Sequence, residues 1–174
     1  MPNKISNIGT ITLNNKVIVS DPCYSIDDWC NKIINNMQPG EYECFEVLID
    51  TRFGERIGEL HIVHKEVLDK YKELKDIPYS PEPLCCSIGV DSGQCGIFDY
   101  EYYDRHQPDD DYDDPESWYK RICDITLDPP CCGTVDNVGV VSESGWGDGM
   151  YNLYSYLDTK STKALKVVFI EENE

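Results

Sequence analysis

Positive charge is scarce in this 174-residue chain, which carries 15 Lys and Arg against 33 Asp and Glu and a formal net charge of −18 at pH 7. A protein without a basic surface cannot release counterions from a phosphate backbone, so general nucleic-acid binding is excluded. Charge of this sign favours solubility and the approach of a basic protein surface. We therefore expect a small-molecule ligand or a basic protein as partner, and no nucleic acid.

Long hydrophobic runs are also absent. No stretch approaches the ~18 apolar residues of a membrane span, and the N-terminal Met-Pro-Asn-Lys has no hydrophobic signal region. We expect a cytoplasmic protein with no membrane partner. The length suits a single globular domain over residues 1–174.

Metal-binding cysteine patterns are missing, although the chain has nine Cys. Cys85-Cys86 and Cys131-Cys132 are adjacent pairs, whereas tetrahedral zinc sites generally use wider spacing. Because cytosolic thiols stay reduced, we predict no disulfides, no structural metal and no cofactor. The alternative, in which the two pairs meet in space and hold a metal, stays open.

Short apolar segments separated by turn residues predict an α+β fold. Sequential strands joined by short turns favour antiparallel neighbours, so we expect a mainly antiparallel sheet, either a partly closed barrel or sandwich-like. The turns include Asn14-Asn15 and Phe53-Gly54. The predicted strands cover residues 5–19 (two strands), 41–49, 57–64, 84–99 (two strands), 133–141, 150–157 and 164–170.

One helical pattern stands out among the strands. Apolar residues follow i, i+3, i+4 and i+7 spacing over residues 26–37, with Ser25 as a cap and Pro39-Gly40 as a stop. We predict an amphipathic helix that packs on the sheet, with Trp29 in the core. Two shorter helices are predicted over residues 66–74 and 115–123.

Acidic residues dominate the segment 100–114, which contains Asp109-Asp110-Asp111 and Asp113-Asp114. Like charges repel and extend a chain, so we predict a mobile acidic loop at about residues 100–114. The segment lacks the glycine and the distal Glu of a calcium loop, and no metal ligands are assigned.

Three strand-end loops carry the candidate site. The segment Ser144-Gly145-Trp146-Gly147-Asp148-Gly149 has glycines at alternate positions, which allow positive φ and close approach to a partner. Side chains in such loops are exposed on a rigid base, and we predict that the loops converge on one ligand. The alternative is that each polar side chain only shapes its own turn. The predicted ligand-binding residues are Asp21, Asp91, Ser92, Gln94, Ser144, Trp146 and Asp148.

Residues 17–24 (VIVSDPCY), 88–99 (IGVDSGQCGIFD) and 139–151 (GVVSESGWGDGMY) together resemble a known family. Its members are small uncharacterised proteins of bacteria and their phages, with a domain of unknown function and the pattern S-G-[YFW]-G-D-G-x-Y near the C-terminus. The resemblance covers most of the chain, apart from the acidic insert after Asp99 and the many Cys. It implies a phage role in counter-defence or host takeover, acting in the host cytoplasm, and brings no activity with it.

Three functions are compatible with these features. In the first, the protein binds a small molecule such as a nucleotide-derived signal, since Asp, Ser, Gln and Trp suit ribose hydroxyls and a stacked base. In the second, an acidic face inhibits a basic host protein. In the third, a hydrolase uses Cys23 as nucleophile or the motif Asp residues as acid and base. A nucleophilic Cys generally needs a positioned His, and none of the three His lies in the motif loops, so no catalytic residue is assigned.

Overall fold

Two antiparallel sheets face each other in the computed structural model, which describes residues 3–84, 88–106 and 111–171. Within these ranges the strands are β1 (Lys4–Leu13), β2 (Val17–Ser20), β3 (Lys32–Ile34), β4 (Gly40–Thr51), β5 (Gly54–His64), β6 (Ile88–Val90), β7 (Gln94–Asp99), β8 (Cys132–Val135), β9 (Gly139–Glu143), β10 (Gly149–Asp158) and β11 (Ser161–Val168). The helices are α1 (Lys65–Lys70), α2 (Tyr100–His106) and α3 (Trp118–Thr126), with a 3-10 turn at Leu74–Asp76.

The first sheet has the strand order β1-β4-β5-β11-β10-β6, and the second has the order β3-β2-β7-β9-β8. Every ladder between these strands is antiparallel. The predicted α+β fold on a mainly antiparallel sheet is confirmed. The sheets stay open rather than closing into a barrel, and the arrangement is sandwich-like.

Strict alternation places the core between the sheets. In β2, Val17 and Val19 face the sandwich interior, whereas Ile18 faces the outer side of the second sheet. That outer side is covered by α2 and α3, and the outer side of the first sheet is partly covered by α1 and the chain that follows it. The middle strands are therefore buried on both faces, which explains why β2 reads as a continuous apolar run.

The chain changes sheets within the second and third motifs and at the Asn14-Asn15 turn that precedes the first motif. β1 and β2, β6 and β7, and β9 and β10 are consecutive strands, but in each pair the two strands belong to different sheets. The turns at Asn14-Asn15, at Asp91-Ser92-Gly93 and at residues 144–149 therefore do not join paired strands, as a hairpin would require. A turn sequence specifies a reversal of the chain, but the hydrogen-bond partners of the flanking strands are decided by distant residues.

The predicted helix over residues 26–37 does not form. Ser25 and Asp28 do make their capping contact, since the Ser25 N–H donates to Asp28 Oδ2 at 2.6 Å. However, Asn31 Nδ2 donates to the carbonyls of Ser25, Ile26 and Asp28, and these are acceptors that a helix would use. The following residues pair with β2 as β3, and Trp29 is exposed rather than in the core.

Residues 100–106, predicted as part of the acidic loop, form α2 instead. Asp99 Oδ1 accepts from the Tyr102 N–H at 3.3 Å at the start of this helix, and Tyr102 and Tyr103 are buried against the second sheet. Residues 107–110 lie outside the described ranges, so the expected mobility of the acidic segment stays a prediction. The two shorter predicted helices appear with shifted ends, as α1 with its 3-10 turn and as α3.

The long strand predicted over residues 133–141 is two strands, β8 and β9, joined by a tight turn. Asp136 and Asn137 take positive φ values of 47° and 59° in that turn, a conformation that Asp and Asn tolerate better than most residues.

None of the helices in the described part of the chain has the length and apolar character that crossing a bilayer requires.

Candidate functional site

Asp21 ties two of the motif loops together. Its Oδ2 accepts from the backbone N–H groups of Asp91 and Ser92 at 2.9 and 2.8 Å. Its Oδ1 accepts from Ser92 Oγ at 2.7 Å and from the Cys23 N–H at 3.0 Å. Asp21 is fully buried, so its carboxylate organises the turn between β6 and β7 and is not presented to a ligand.

The third motif loop lies against the same turn. The Ser144 N–H donates to the Gly93 carbonyl at 3.0 Å, and a Cβ built on Gly93 would lie 3.9 Å from Gly147 Cα. The structure thus brings the three predicted loops together at the end of the sandwich where the chain changes sheets.

Most of the polar side chains in these loops are already satisfied inside the protein. Ser144 Oγ donates to the Gly147 carbonyl at 2.8 Å. Gln94 Oε1 accepts from Thr126 Oγ1 at 2.7 Å, and Gln94 is buried. Buried groups with all partners in place stabilise a loop and offer nothing to a ligand. For Ser144 this geometry favours the local-turn alternative, whereas Asp21 and Gln94 bond to other parts of the chain and so stabilise the packing of the loops.

The exposed members of the predicted set are Asp91, Ser92, Trp146 and Asp148. The Ser92 hydroxyl is engaged with Asp21, and Asp91 Oδ2 accepts from Tyr24 Oη at 2.6 Å. Trp146 and Asp148 are thus the residues of this set whose side chains have most surface left for a partner.

Cys23, the nucleophile of the hydrolase hypothesis, sits beside this cluster. Burial raises the pKa of Cys23 to about 12, and the nearby Asp21 carboxylate also raises it. A protonated thiol is a poor nucleophile, and Gln94 Nε2 already lies 3.9 Å from Cys23 Sγ. This chemistry does not support attack by Cys23.

A cleft that sequence reasoning missed opens on the outer face of the first sheet. Its volume is about 840 Å³, within the range typical of small-molecule sites. The chain after α1 forms one wall, and strands β4, β5, β10 and β11 form the floor. The residues that line it are Asn3, Ile5, Val47, Glu59, His61, Glu73, Leu74, Lys75, Ile77, Pro78, Tyr79, Ser80, Tyr154, Lys166, Val168, Ile170 and Glu171.

A chain of hydrogen-bonding groups lies in this cleft. His61 Nε2 is 2.6 Å from Glu59 Oε2, and His61 Nδ1 is 3.0 Å from Tyr79 Oη. Lys166 Nζ lies 3.7 Å from the other carboxylate oxygen of Glu59. The same ammonium lies 5.2 and 5.4 Å from the ring centroids of Tyr79 and Tyr154, at cation–π distance.

Burial determines the protonation of His61. It lowers the pKa of the imidazole, and the opposing effect of Glu59 does not reverse this shift. Neutral His61 can then donate a hydrogen bond from Nε2–H to Glu59 and accept one at Nδ1 from the Tyr79 hydroxyl. Burial and the Glu59 carboxylate raise the pKa of Tyr79 well above its usual value, so Tyr79 keeps its proton.

Glu59 stays ionised in this arrangement. Burial alone raises the pKa of its carboxyl, but the hydrogen bond from His61 and the charge of Lys166 outweigh that effect, and the net shift is downward. The result is a carboxylate held by two donors and connected through a neutral imidazole to a phenol, next to one ammonium group.

The sequence holds only a weak signal for this cluster. Glu59 and His61 are two residues apart on β5 and therefore share a face, which is readable without a structure. Lys166 comes opposite His61 only through the pairing of β5 with β11. Tyr79 belongs to the proline-rich segment after α1, and no local pattern places it there.

The lowered pKa of His61 gives a prediction about acid stability. The folded protein favours neutral His61. Neutral His61 therefore contributes its full stabilisation to the free energy of unfolding above pH 6.5, about the pKa of the unfolded chain. That stabilisation is lost as the pH falls through the lower pKa of His61 in the folded protein. We expect the difference in unfolding free energy between the wild type and His61→Gln to shrink from pH 7.5 toward acid. Urea denaturation at several pH values measures it, and a difference that grows on acidification would contradict the assignment.

Within the described residues, no three His, Cys, Asp or Glu side chains gather closely enough to hold a metal ion. Cys131 and Cys132 are free thiols, and Cys132 Sγ donates to Glu46 Oε2 at 3.0 Å. Cys85 and Cys86 lie outside the described residues, so the meeting of the two pairs stays untested.

Comparison with known proteins adds no identification to this geometry: no family model, no curated protein and no solved structure matches the chain.

Proposed function

We propose that this protein binds a small molecule, and that binding takes place in the cleft on the outer face of the first sheet. The observation that carries the proposal is the Glu59–His61–Tyr79 chain with Lys166 beside it, lining a cleft of about 840 Å³. Polar groups that converge among apolar side chains in a cleft of this size are typical of ligand sites. The motif loops are a weaker candidate because none of their residues lines this cleft.

The charges in the cleft indicate the class of ligand. Glu59 is neutralised by Lys166 and by the His61 N–H, so the cluster offers hydrogen bonds more than net charge. The Tyr79 hydroxyl, after donating to His61, keeps acceptor capacity. Tyr79 and Tyr154 supply aromatic surface on either side of the ammonium group. A ring compound that carries hydroxyl groups, such as a nucleoside or a sugar, fits these features best.

Apolar residues extend the surface available to such a ring. Ile5 of β1 and Pro78 of the chain after α1 are the exposed apolar residues of the cleft lining. Ring atoms that leave water here gain about 25 cal/mol per Å² of buried apolar surface, while the polar cluster sets the orientation. The nucleotide-derived signal expected from the motifs belongs to this ligand class.

A ligand screen tests the proposal. We expect at least one member of a panel of nucleosides, nucleotides and sugars to raise the melting temperature, by the equivalent of about 2.7 kcal/mol at a ligand concentration about a hundredfold above Kd. Mass spectrometry of the ligand afterwards separates binding from turnover.

Tyr79→Phe removes one hydroxyl and Lys166→Met removes one charge, and each should weaken affinity by roughly tenfold, the effect of about 1.4 kcal/mol.

Trp146→Ala is the matched control, because it alters the motif loops and leaves the cleft intact. Its ligand-induced shift should equal that of the wild type. A panel without any shift would overturn the proposed function. A shift lost in Trp146→Ala but kept in Tyr79→Phe and Lys166→Met would show that the ligand binds at the motif loops instead.

A further inference from the structure

Four large apolar side chains are exposed near the motif loops: Trp29, Phe53, Trp146 and Met150, which we call the tryptophan surface. Trp146 and Phe53 are 42% and 63% exposed, and their rings meet edge to face at 6.1 Å between centroids. The Arg52 guanidinium lies over the Phe53 ring at 4.6 Å, a cation–π contact within the chain.

Trp29 and Met150 form the second part of this surface. Trp29 covers Gly89 on the edge strand β6, where a Cβ would lie only 2.2 Å from the indole ring. Met150 is the ladder partner of Gly89, so both side chains lie on the same side of this pair of strands. Trp29 and Met150 are nevertheless 67% and 57% exposed.

Two exposed carboxylates belong to the loops that carry these residues. Asp148 stands between Trp146 and Met150 in the chain, and Asp91 follows Val90, the ladder partner of Gly149. In the part of the chain that the structure describes, neither carboxylate forms an ion pair with Lys or Arg. Exposed aromatic rings beside unpaired negative charge complement a partner that presents both apolar and basic groups.

We infer that the tryptophan surface docks a basic segment of another protein. Trp, Phe and Met are enriched at protein interfaces, and Trp supplies hot spots. Arginine or lysine of the partner would meet Asp91 and Asp148 and stack on the rings, as Arg52 already does.

A second copy of the chain is a poor occupant of this surface. A two-fold interface would place Asp91 and Asp148 of one copy against the same patch of the other, and each copy carries a net charge of −18. The charge therefore favours a basic partner over self-association.

Titration with synthetic peptides tests the inference. The probes are a set of arginine- and leucine-rich peptides, each matched by a peptide with Glu in place of every Arg, and binding is followed by calorimetry on the full chain. We expect basic peptides to bind and acidic ones not to bind. Trp146→Ala should weaken the binding by roughly tenfold or more, as expected for a hot-spot aromatic residue, and added salt should weaken it further.

Leu127→Ala is the control, because Leu127 is an exposed apolar residue outside the tryptophan surface, and it should bind as the wild type does. Trp29→Ala gives an independent second variant, with its melting temperature measured in parallel. Failure of all basic peptides to bind, or equal binding by wild type and Trp146→Ala, would overturn the inference. A concentration-dependent dimer that Trp146→Ala abolishes would also overturn it, in favour of a second copy.

Discussion

Asp21→Ala is expected to lower the free energy of unfolding by about 3–5 kcal/mol, because it removes a fully buried carboxylate that accepts four hydrogen bonds. The carboxylate accepts from two backbone N–H groups of the turn at Asp91 and Ser92, from Ser92 Oγ and from the Cys23 N–H. Each buried donor left without a partner costs about 1–3 kcal/mol. Urea denaturation of the purified variant measures the loss.

Asp148→Ala is the matched control, since Asp148 is an exposed Asp from the same group of loops. It should change the unfolding free energy by no more than about 0.5 kcal/mol. If Asp21→Ala kept the stability of the wild type and lost only ligand binding, Asp21 would be a ligand residue and our reading of its carboxylate as structural would be wrong.

Gly145→Ala should be the second most damaging of these changes, with a loss of about 2–4 kcal/mol in unfolding free energy. Gly145 has a φ of 61°, a conformation that costs a residue with a Cβ about 1–2 kcal/mol. The added methyl group would also lie 2.8 Å from the Ile57 carbonyl oxygen and 3.0 Å from Phe169 Cβ. The first of these neighbours is backbone and cannot simply rotate away.

Gly147→Ala separates the two causes. Gly147 also has a positive φ, 92°, but no atom lies within 4 Å of the position that a Cβ would take. The decrease in unfolding free energy of Gly147→Ala should therefore reflect backbone strain alone and amount to about 1–2 kcal/mol. Equal melting temperatures for the two variants would show that the close approach of Gly145 to Ile57 does not matter.

The glycine and aspartate pattern of the motifs was informative about local conformation. Gly145 and Gly147 take positive φ, as their alternate spacing suggested, whereas Gly149 begins strand β10 and does not. The same pattern was misleading about pairing, since the turns of the second and third motifs cross between the sheets. A turn residue restricts its own φ and ψ, while the choice of a strand partner depends on residues far away in the chain.

The predicted helix over residues 26–37 failed for a related reason. Its apolar spacing and its Ser25 cap were both real, and the cap contact forms. The helix would have left β2 without its partner β3 at the edge of the second sheet. Long-range pairing and the Asn31 side chain together outweighed a helical propensity worth only tenths of a kcal/mol per residue.

By itself the sequence determined the features that depend on neighbours along the chain. Alternating apolar residues made strands such as β4 and β5 and paired them through the turn at Phe53-Gly54, because the period of a strand and the geometry of a short turn are local. Composition likewise set the large excess of acidic over basic residues. Tertiary structure alone decided that Asp21 reaches across some 70 residues to Ser92 and that Lys166 joins His61 and Tyr79 in one cleft. These contacts come from the pairing and stacking of sheets, whose partners are chosen by the burial of the whole core rather than by any segment.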